Sequence, residues 1–386
     1  MVEEKGRTMR FTRLALIVPA LVAVLLVAVV VQGGTLSEAW AQSTDQSAAS
    51  TSSEGPVGGA VPGNSLGTTG SADQWRAIRG GLQGNVSIPD TKSGVLIQSG
   101  GEGWRAIRNG PLMTYGSWIL LGTIILLALF YLLRGRIRLE KGPSGILIER
   151  FGGLERFVHW MTAVSFILLA LTGINILWGR HVLLPVIGPE AFSVLTLAGK
   201  YAHNFLAFPF MLGVLLMFVL WVGQNIPNRH DLVWFAKGGG MFSKHAHPPA
   251  RKFNGGQKII FWAVVLGGLS LSLSGISLMF PFEFALWQKT FAFLNIFGTD
   301  LPDSVSPIME MQLSSLWHSI LAIVMIAVIL AHIYIGTLGM EGAFAAMGSG
   351  YVDENWAREH HNIWVEELQQ KTDHASGSSG HTQPAE

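Results

Sequence analysis

Cysteine is absent from the sequence. Its absence excludes a disulfide framework, a thiolate zinc site, an iron–sulfur cluster held by this chain and a covalently attached c-type haem. Any redox chemistry must therefore use histidine or methionine ligands, or a cofactor held without thiolates. Charge is scarce as well. Asp, Glu, Lys and Arg make up 13% of the 386 residues, against about 25% in an average soluble domain. The 26 basic and 25 acidic residues leave a formal charge of +1, so no nucleic-acid-binding stripe is expected. What is plentiful is apolar. Hydrophobic residues reach 49% with a mean hydropathy of +0.39, gathered into long runs. The composition and its patterning exclude an ordinary soluble domain.

Lys5, Arg7, Arg10 and Arg13 precede an apolar run from Leu14 to Val31, followed by Ala39 and Ala41 in the A-x-A relation. Residues 1–41 therefore read as a secretory signal peptide or an uncleaved anchor. Residues 42–70 are Ser, Thr, Gly and Pro with few large apolar side chains, the composition of a flexible linker. In the 71–115 segment, Trp75-Arg-Ala-Ile-Arg79 recurs as Trp104-Arg-Ala-Ile-Arg108, and we expect a small periplasmic repeat segment.

Five further apolar stretches lie near 116–133, 157–178, 202–223, 259–280 and 316–338. Each is long enough to cross a hydrocarbon core of roughly 30 Å as a helix. The first carries neither charge nor histidine and reads as an anchor helix over 116–134. The other four predict an all-α membrane protein with a four-helix transmembrane core over 135–345, followed by a cytoplasmic tail, 346–386. Lys and Arg concentrate between the first and second of these spans (Arg134, Arg136, Arg138, Lys141, Arg150, Arg156). They do so again between the third and fourth (Arg229, Lys237, Lys244, Arg251, Lys252, Lys258). The positive-inside rule places these loops in the cytoplasm of a bacterial cell and the amino-terminal segment in the periplasm of its inner membrane.

Of the 12 histidines, His159, His203, His318 and His332 fall within or at the ends of spans, where an imidazole needs partners for both nitrogens. His318 and His332 share a helix. Fourteen residues separate them by about 21 Å and return to within about 40° of the same face. His203 is level with His318 at the outer end, and His159 with His332 at the inner end. Two imidazoles from two helices are the axial set of a low-spin b-type haem, so the depths predict two haem b groups stacked across the membrane. A zinc site fits less well, because no carboxylate or thiolate lies in the spans to complete it. Taken singly, each histidine also reads as an interhelical hydrogen-bonding residue. Gly173 and Gly275 interrupt these helices, as room for a porphyrin face or for close helix packing. Arg156, beside His159, reads as a partner for a haem propionate or as an ordinary cytoplasmic-end anchor, and Trp160 and Trp317 flank the candidates at interface depth, where tryptophan is common.

An electron path needs an acceptor. Asn254 and Gln257, in Asn254-Gly-Gly-Gln-Lys258, have amides suited to a quinone carbonyl, with the glycines permitting close approach; the same residues also read as a turn. His245 and His247 in that loop read as proton relays or as solvated histidines.

Through Arg156-Phe-Val-His-Trp160, His203, Asn254-Gly-Gly-Gln-Lys258, Trp317-His318 and His332, the chain resembles the gamma subunit of respiratory formate dehydrogenase over roughly 150–345. Cytochrome b subunits of nickel–iron hydrogenase and thiosulfate reductase share related helices. The resemblance implies a molybdenum or tungsten catalytic alpha subunit that oxidises formate outside the membrane and an iron–sulfur beta subunit that passes the electrons on. It also implies an outer haem on His203 and His318, an inner haem on His159 and His332, and a quinone (menaquinone or ubiquinone) at Asn254 and Gln257. The signal, linker, repeat and extra helix are additions to the compact family form. The remaining alternatives are another donor enzyme, or a haem-free membrane anchor or transporter; intramembrane carboxylates and an inverted repeat, expected of the latter, are missing.

Overall fold

The computed structural model describes residues 101–241 and 245–378. The signal, the linker and the first copy of the Trp–Arg repeat lie outside the described residues. The second copy forms a short helix, Gly101–Ile107, and a π-turn, Arg108–Leu112. The principal elements then follow in chain order: α1 (Met113–Arg134), β1 (Leu147–Glu149), α2 (Gly153–Val182), α3 (Leu184–Trp221), α4 (Arg229–Ala236), α5 (Gly255–Trp262), α6 (Gly268–Met279), α7 (Leu286–Asn295), α8 (Pro307–Tyr334), β2 (Tyr351–Asp353), α9 (Glu354–His360) and α10 (Asn362–Ser378).

Five helical stretches are long and apolar enough to cross a membrane: Gly103–Arg134, Gly153–Val182, Leu184–Gln224, Gly255–Met279 and Pro307–Gly339. They match the five expected spans, with ends extended by up to about twenty residues. The largest extension removes an expected loop. Residues 179–200 are helical, because α2 runs to Val182 and α3 begins at Leu184. The break inside this stretch is Gly188, whose φ of 78° a side chain would strain, followed by Pro189. The fourth span is α5 and α6 joined through a π-turn, Ala263–Gly267.

The described residues divide into two compact units, one comprising Gly101–Leu112 together with Phe280–Trp317, the other 113–241 and 245–279 with His318–Ser378. In the first, Glu310 is buried, and its carboxylate accepts the backbone N–H groups of Trp287 (2.8 Å) and Gln288 (2.7 Å) at the start of α7. These are donors that no helix can satisfy internally. Asn295 closes the turn that follows, accepting from Leu301 N at 3.0 Å and donating to Leu301 O at 2.9 Å.

In the second unit, small residues set the helix contacts, as expected where lipid supplies little drive for association. Gly213 of α3 meets α2 so closely that a Cβ there would lie 2.1 Å from Thr162 Oγ1. Gly268 of α6 faces Val214 and Phe210 of α3, and Gly267 faces Met325 of α8. Helix α1 rests on this bundle through Gly116, against Ile323 and Trp178, and through Phe130 and Tyr131, edge-on to Tyr334. We expect Gly213→Val to force α2 and α3 apart and cost about 1–3 kcal/mol, read as a lower midpoint of thermal unfolding in detergent.

One end of the bundle is closed by a cap built from 135–152, 225–241, 245–258 and 340–378. Strand β1 pairs antiparallel with β2, Leu147 opposite Asp353. Phe151, Trp221, Phe253, Val352, Trp356, Ala357, Trp364 and Val365 form its apolar core. The segment expected to be a tail, 346–386, thus contributes a strand and two helices to the folded body over its described part. This two-stranded ribbon is the sole β-pairing with named strands among the described residues.

Candidate functional site

The four span histidines come together as two couples, both in the second unit. The ring centroids of His203 on α3 and His318 on α8 are 6.2 Å apart, with the planes at 64°. Those of His159 on α2 and His332 on α8 are also 6.2 Å apart, at 62°. The depth argument paired the same residues, so α8 serves both couples from one face.

The surroundings of the two couples differ. Thr172 Oγ1 lies 2.8 Å from His203 Nδ1, and Ser274 Oγ lies 3.0 Å from His318 Nδ1. Next to each hydroxyl is a glycine. A Cβ on Gly173 would find only His203 Cε1 within 4 Å, at 3.5 Å; one on Gly275 would meet only His318, at 3.4 Å. The two glycines flagged in the sequence therefore lie beside the imidazoles with open space around them. In the other couple, His159 Nδ1 is buried without a hydrogen-bond partner among the described residues. Groups of three or more His, Cys, Asp or Glu able to hold a bare metal ion are absent among the described residues.

Arg156 is committed to the protein itself. Its Nε donates to Met347 O at 3.3 Å and its Nη2 to Gly348 O, while Trp160 Nε1 donates to Met347 O at 2.9 Å. These bonds fasten α2 to the turn after the last span. His245 and His247 both reach Glu140, at 2.9 and 2.8 Å, and their hydrogen bonds hold its carboxyl below the ordinary range.

Asn254 and Gln257 have a structural duty that the sequence reading did not assign. They form a capping box at the start of α5: Asn254 Oδ1 accepts from Gln257 N at 3.0 Å, and Gln257 Oε1 accepts from Asn254 N at 3.1 Å. The amide oxygens are thereby occupied, while the two NH2 groups, both donors, have no partner among the described residues. The close approach that Gly255 and Gly256 permit is made by the rings of Phe235 and Trp234. Lys258 is buried and paired with Asp231 at 2.8 Å. Both line a recess of ≈ 430 Å³ whose other walls include Phe235, Ile259, Trp262 and Leu266.

Sequence reasoning missed the group behind this segment. Arg150 is 3% exposed and His361 wholly buried. Arg150 Nη2 donates to Lys252 O at 2.5 Å, to His361 Nε2 at 3.0 Å and, at the limit of range, to Gln257 Oε1 at 3.5 Å. His361 Nδ1 donates to Arg251 O at 2.7 Å. The guanidinium lies over Phe151, Trp356 and Trp364 at 5.4, 5.1 and 5.2 Å. Burial lowers it to about 9, so it stays charged at neutral pH. Burial and then Arg150 itself push His361 well below 6.5, so this imidazole is neutral. The signal available in sequence was the pair of tryptophans, Trp356 and Trp364, in an otherwise polar tail.

The model of the prokaryotic cytochrome b561 family matches residues 150–350. The cytochrome b556(fdo) subunit of formate dehydrogenase from Escherichia coli (strain K12) is 28% identical over 227 residues, covering 58% of this chain and 95% of that protein. The cytochrome b556(Fdn) subunit of the nitrate-inducible formate dehydrogenase from the same strain is 26% identical over 225 residues, 58% and 92% of the two chains. The formate dehydrogenase cytochrome b556 subunit of Haemophilus influenzae (strain ATCC 51907 / DSM 11121 / KW20 / Rd) is 26% identical over 216 residues, 55% and 79%. Because the matched region takes in more than half of the chain and every helix that supplies a histidine to either couple, the chain belongs to the prokaryotic cytochrome b561 family of integral membrane b-type cytochromes.

Proposed function

We propose that this chain is the cytochrome b subunit of a formate dehydrogenase, carrying electrons from the periplasmic side of the membrane through two haem b groups to quinone on the cytoplasmic side. The observation that carries the proposal is the pair of histidine couples on a shared helix. A metal–imidazole bond is about 2.0 Å long, and a five-membered ring of ~1.33 Å bonds has its nitrogen about 1.1 Å from its centre. Two imidazoles facing one iron therefore have centroids about 6 Å apart, and both couples lie at 6.2 Å. The chemistry of the donor set agrees. Nitrogen is the ligand of a b-type haem, the chain lacks thiolates, and neither couple brings a carboxylate. Bare glycine faces at 173 and 275 leave space beside the rings.

His203 and His318 would hold the outer haem, and His159 and His332 the inner one. When bound, the haems would supply one-electron redox change. The protein fixes their spacing, about 21 Å along α8 between the ligand positions, and excludes water from the path. The NH2 groups of Asn254 and Gln257 are the donors for a quinone carbonyl, held at the start of α5 by their own capping bonds. The cap carries Arg150, Lys252 and Lys258, and its positive charge supports a cytoplasmic placement. Electrons moving inward with protons taken from the cytoplasm separate charge, worth about 2.3 kcal/mol per charge per 100 mV. The names of the relatives support formate as the donor. An alpha subunit that oxidises formate and an iron–sulfur beta subunit would then dock on the periplasmic side.

The test is haem content and spectrum. Purified in detergent, the chain is expected to contain two b-type haems and to show a reduced-minus-oxidised band near ~560 nm. Absence of that band overturns the proposal. Co-purification of a formate-oxidising activity tests the donor separately.

A further inference from the structure

In two different helices a hydroxyl residue stands immediately before a glycine, and each such dipeptide faces one imidazole of the same couple. Thr172-Gly173 on α2 meets His203, and Ser274-Gly275 on α6 meets His318. The direction of these hydrogen bonds follows from the rest of the geometry. Thr172 Oγ1 already donates its single proton to a backbone carbonyl, Leu168 O at 2.8 Å or Leu169 O at 3.0 Å. Ser274 Oγ does the same toward Ser270 O at 2.9 Å or Leu271 O at 3.1 Å. A hydroxyl with its proton committed can only accept from a third neighbour. Both Nδ1 atoms therefore carry the proton, and both Nε2 atoms keep a lone pair.

We propose that Thr172 and Ser274 are positioning residues for the outer haem: they fix the Nδ1–H tautomer of His203 and His318, aim Nε2 at the iron and lower the potential of that haem. This rests on the two-haem reading given above. The physical basis is that an acceptor on the distal N–H makes an imidazole a stronger donor, which favours the oxidised iron. The adjacent glycines have a matching part, since a bare Cα lets each ring sit against the helix that holds it. The effect is confined to one couple. His159 Nδ1 has no such acceptor among the described residues, and neither dipeptide touches His332. A lowered outer potential makes that haem the better donor toward the inner one.

The experiment is a potentiometric titration of the two b-type haems in the full-length purified chain, for the wild type, Thr172→Val, Ser274→Ala and the double variant. Thr172→Val keeps the shape of the side chain and removes the acceptor. The expected result is a rise in one of the two midpoints, by roughly tenfold in its oxidised-to-reduced ratio, or about 59 mV for one electron, with the other unmoved. Thr172→Ser and Ser274→Thr should keep the wild-type value. Selective loss of one haem, recovered in the conservative variants, also supports the assignment. Two haems with both midpoints unchanged in the double variant overturn it, as does a shift confined to the haem that His332→Ala removes. A wild-type chain without b-type haem sinks instead the reading on which the inference rests.

Discussion

His332→Ala is expected to leave one haem per chain and to abolish quinone reduction by formate. His332 closes the couple with His159 at 6.2 Å and lies on the same helix as His318, so the variant removes one ligand while the other couple keeps both of its own. A single remaining imidazole does not complete the axial set of a low-spin haem. On the proposed two-haem path, the inner step is then lost even if the outer haem stays reducible. Haem quantification by extraction, together with a titration showing one midpoint where the wild type shows two, checks the first half. Quinol formation by membranes supplied with formate checks the second. Retention of both haems would refute the His159–His332 assignment. His318→Ala is the mirror experiment: it should remove the other haem and leave the inner midpoint in place.

The second large effect is expected from His361→Ala, far from either couple in sequence. The neutral imidazole accepts from Arg150 and donates to the Arg251 carbonyl in a wholly buried position. Truncation strips a partner from a buried guanidinium whose Nε and Nη1 already have none among the described residues. Leaving a buried charged donor unmet costs about 3 kcal/mol, which is on the order of a hundredfold more frequent opening of the cap. Hydrogen exchange at the β1 and β2 amides measures it, and His361→Asn, which keeps an acceptor, should recover part of the loss. The wild type carries the same weakness as a pH dependence. His361 and His360 both have folded values below the ordinary 6.5, His360 at about 4, through burial first, then His247 and Arg150. A depressed histidine is bound to fewer protons in the folded state than in the unfolded one. The stability it contributes is therefore complete above pH ~6.5 and declines as the pH falls below that value. The cap should loosen between pH ~6.5 and 4 while the helical bundle persists, and exchange at β1 should show this before any loss of overall helicity. His361→Ala should flatten part of that dependence.

The spans were legible because their signal is long and one-dimensional. Twenty apolar residues have few other structural solutions, and the fixed rise of a helix converts the spacing of His318 and His332 into depth. The histidine pairing followed from that conversion without any side-chain detail. Gly173 and Gly275 were visible as interruptions, but their meaning depended on which ring each one faces. The hydroxyls before them passed unnoticed because Ser and Thr are ordinary in membrane helices. Only their shared position, directly before a glycine in two different spans, sets them apart. Asn254 and Gln257 illustrate a conflict between two readings of one pattern. Asn-x-x-Gln ahead of an apolar run is a helix-start signature as much as a ligand segment, and the structure shows the oxygens in the first role. The cap was the least legible part. Its pairing joins Ser144 to Asp353, 209 positions apart, and nothing in a local window announces that a polar stretch after the last span supplies a strand and two aromatic walls to a loop that precedes α2.

That ribbon also imposes a timetable on biosynthesis. Strand β1 leaves the ribosome long before β2, and at about 5–20 residues per second the interval is on the order of 10–40 s. Throughout that interval four membrane helices are inserted while the guanidinium of Arg150 still lacks the indoles of Trp356 and Trp364. The cap can therefore shut only after every histidine-bearing helix has been delivered, and a nascent chain halted before Tyr351 would present an open end to whatever machinery loads it.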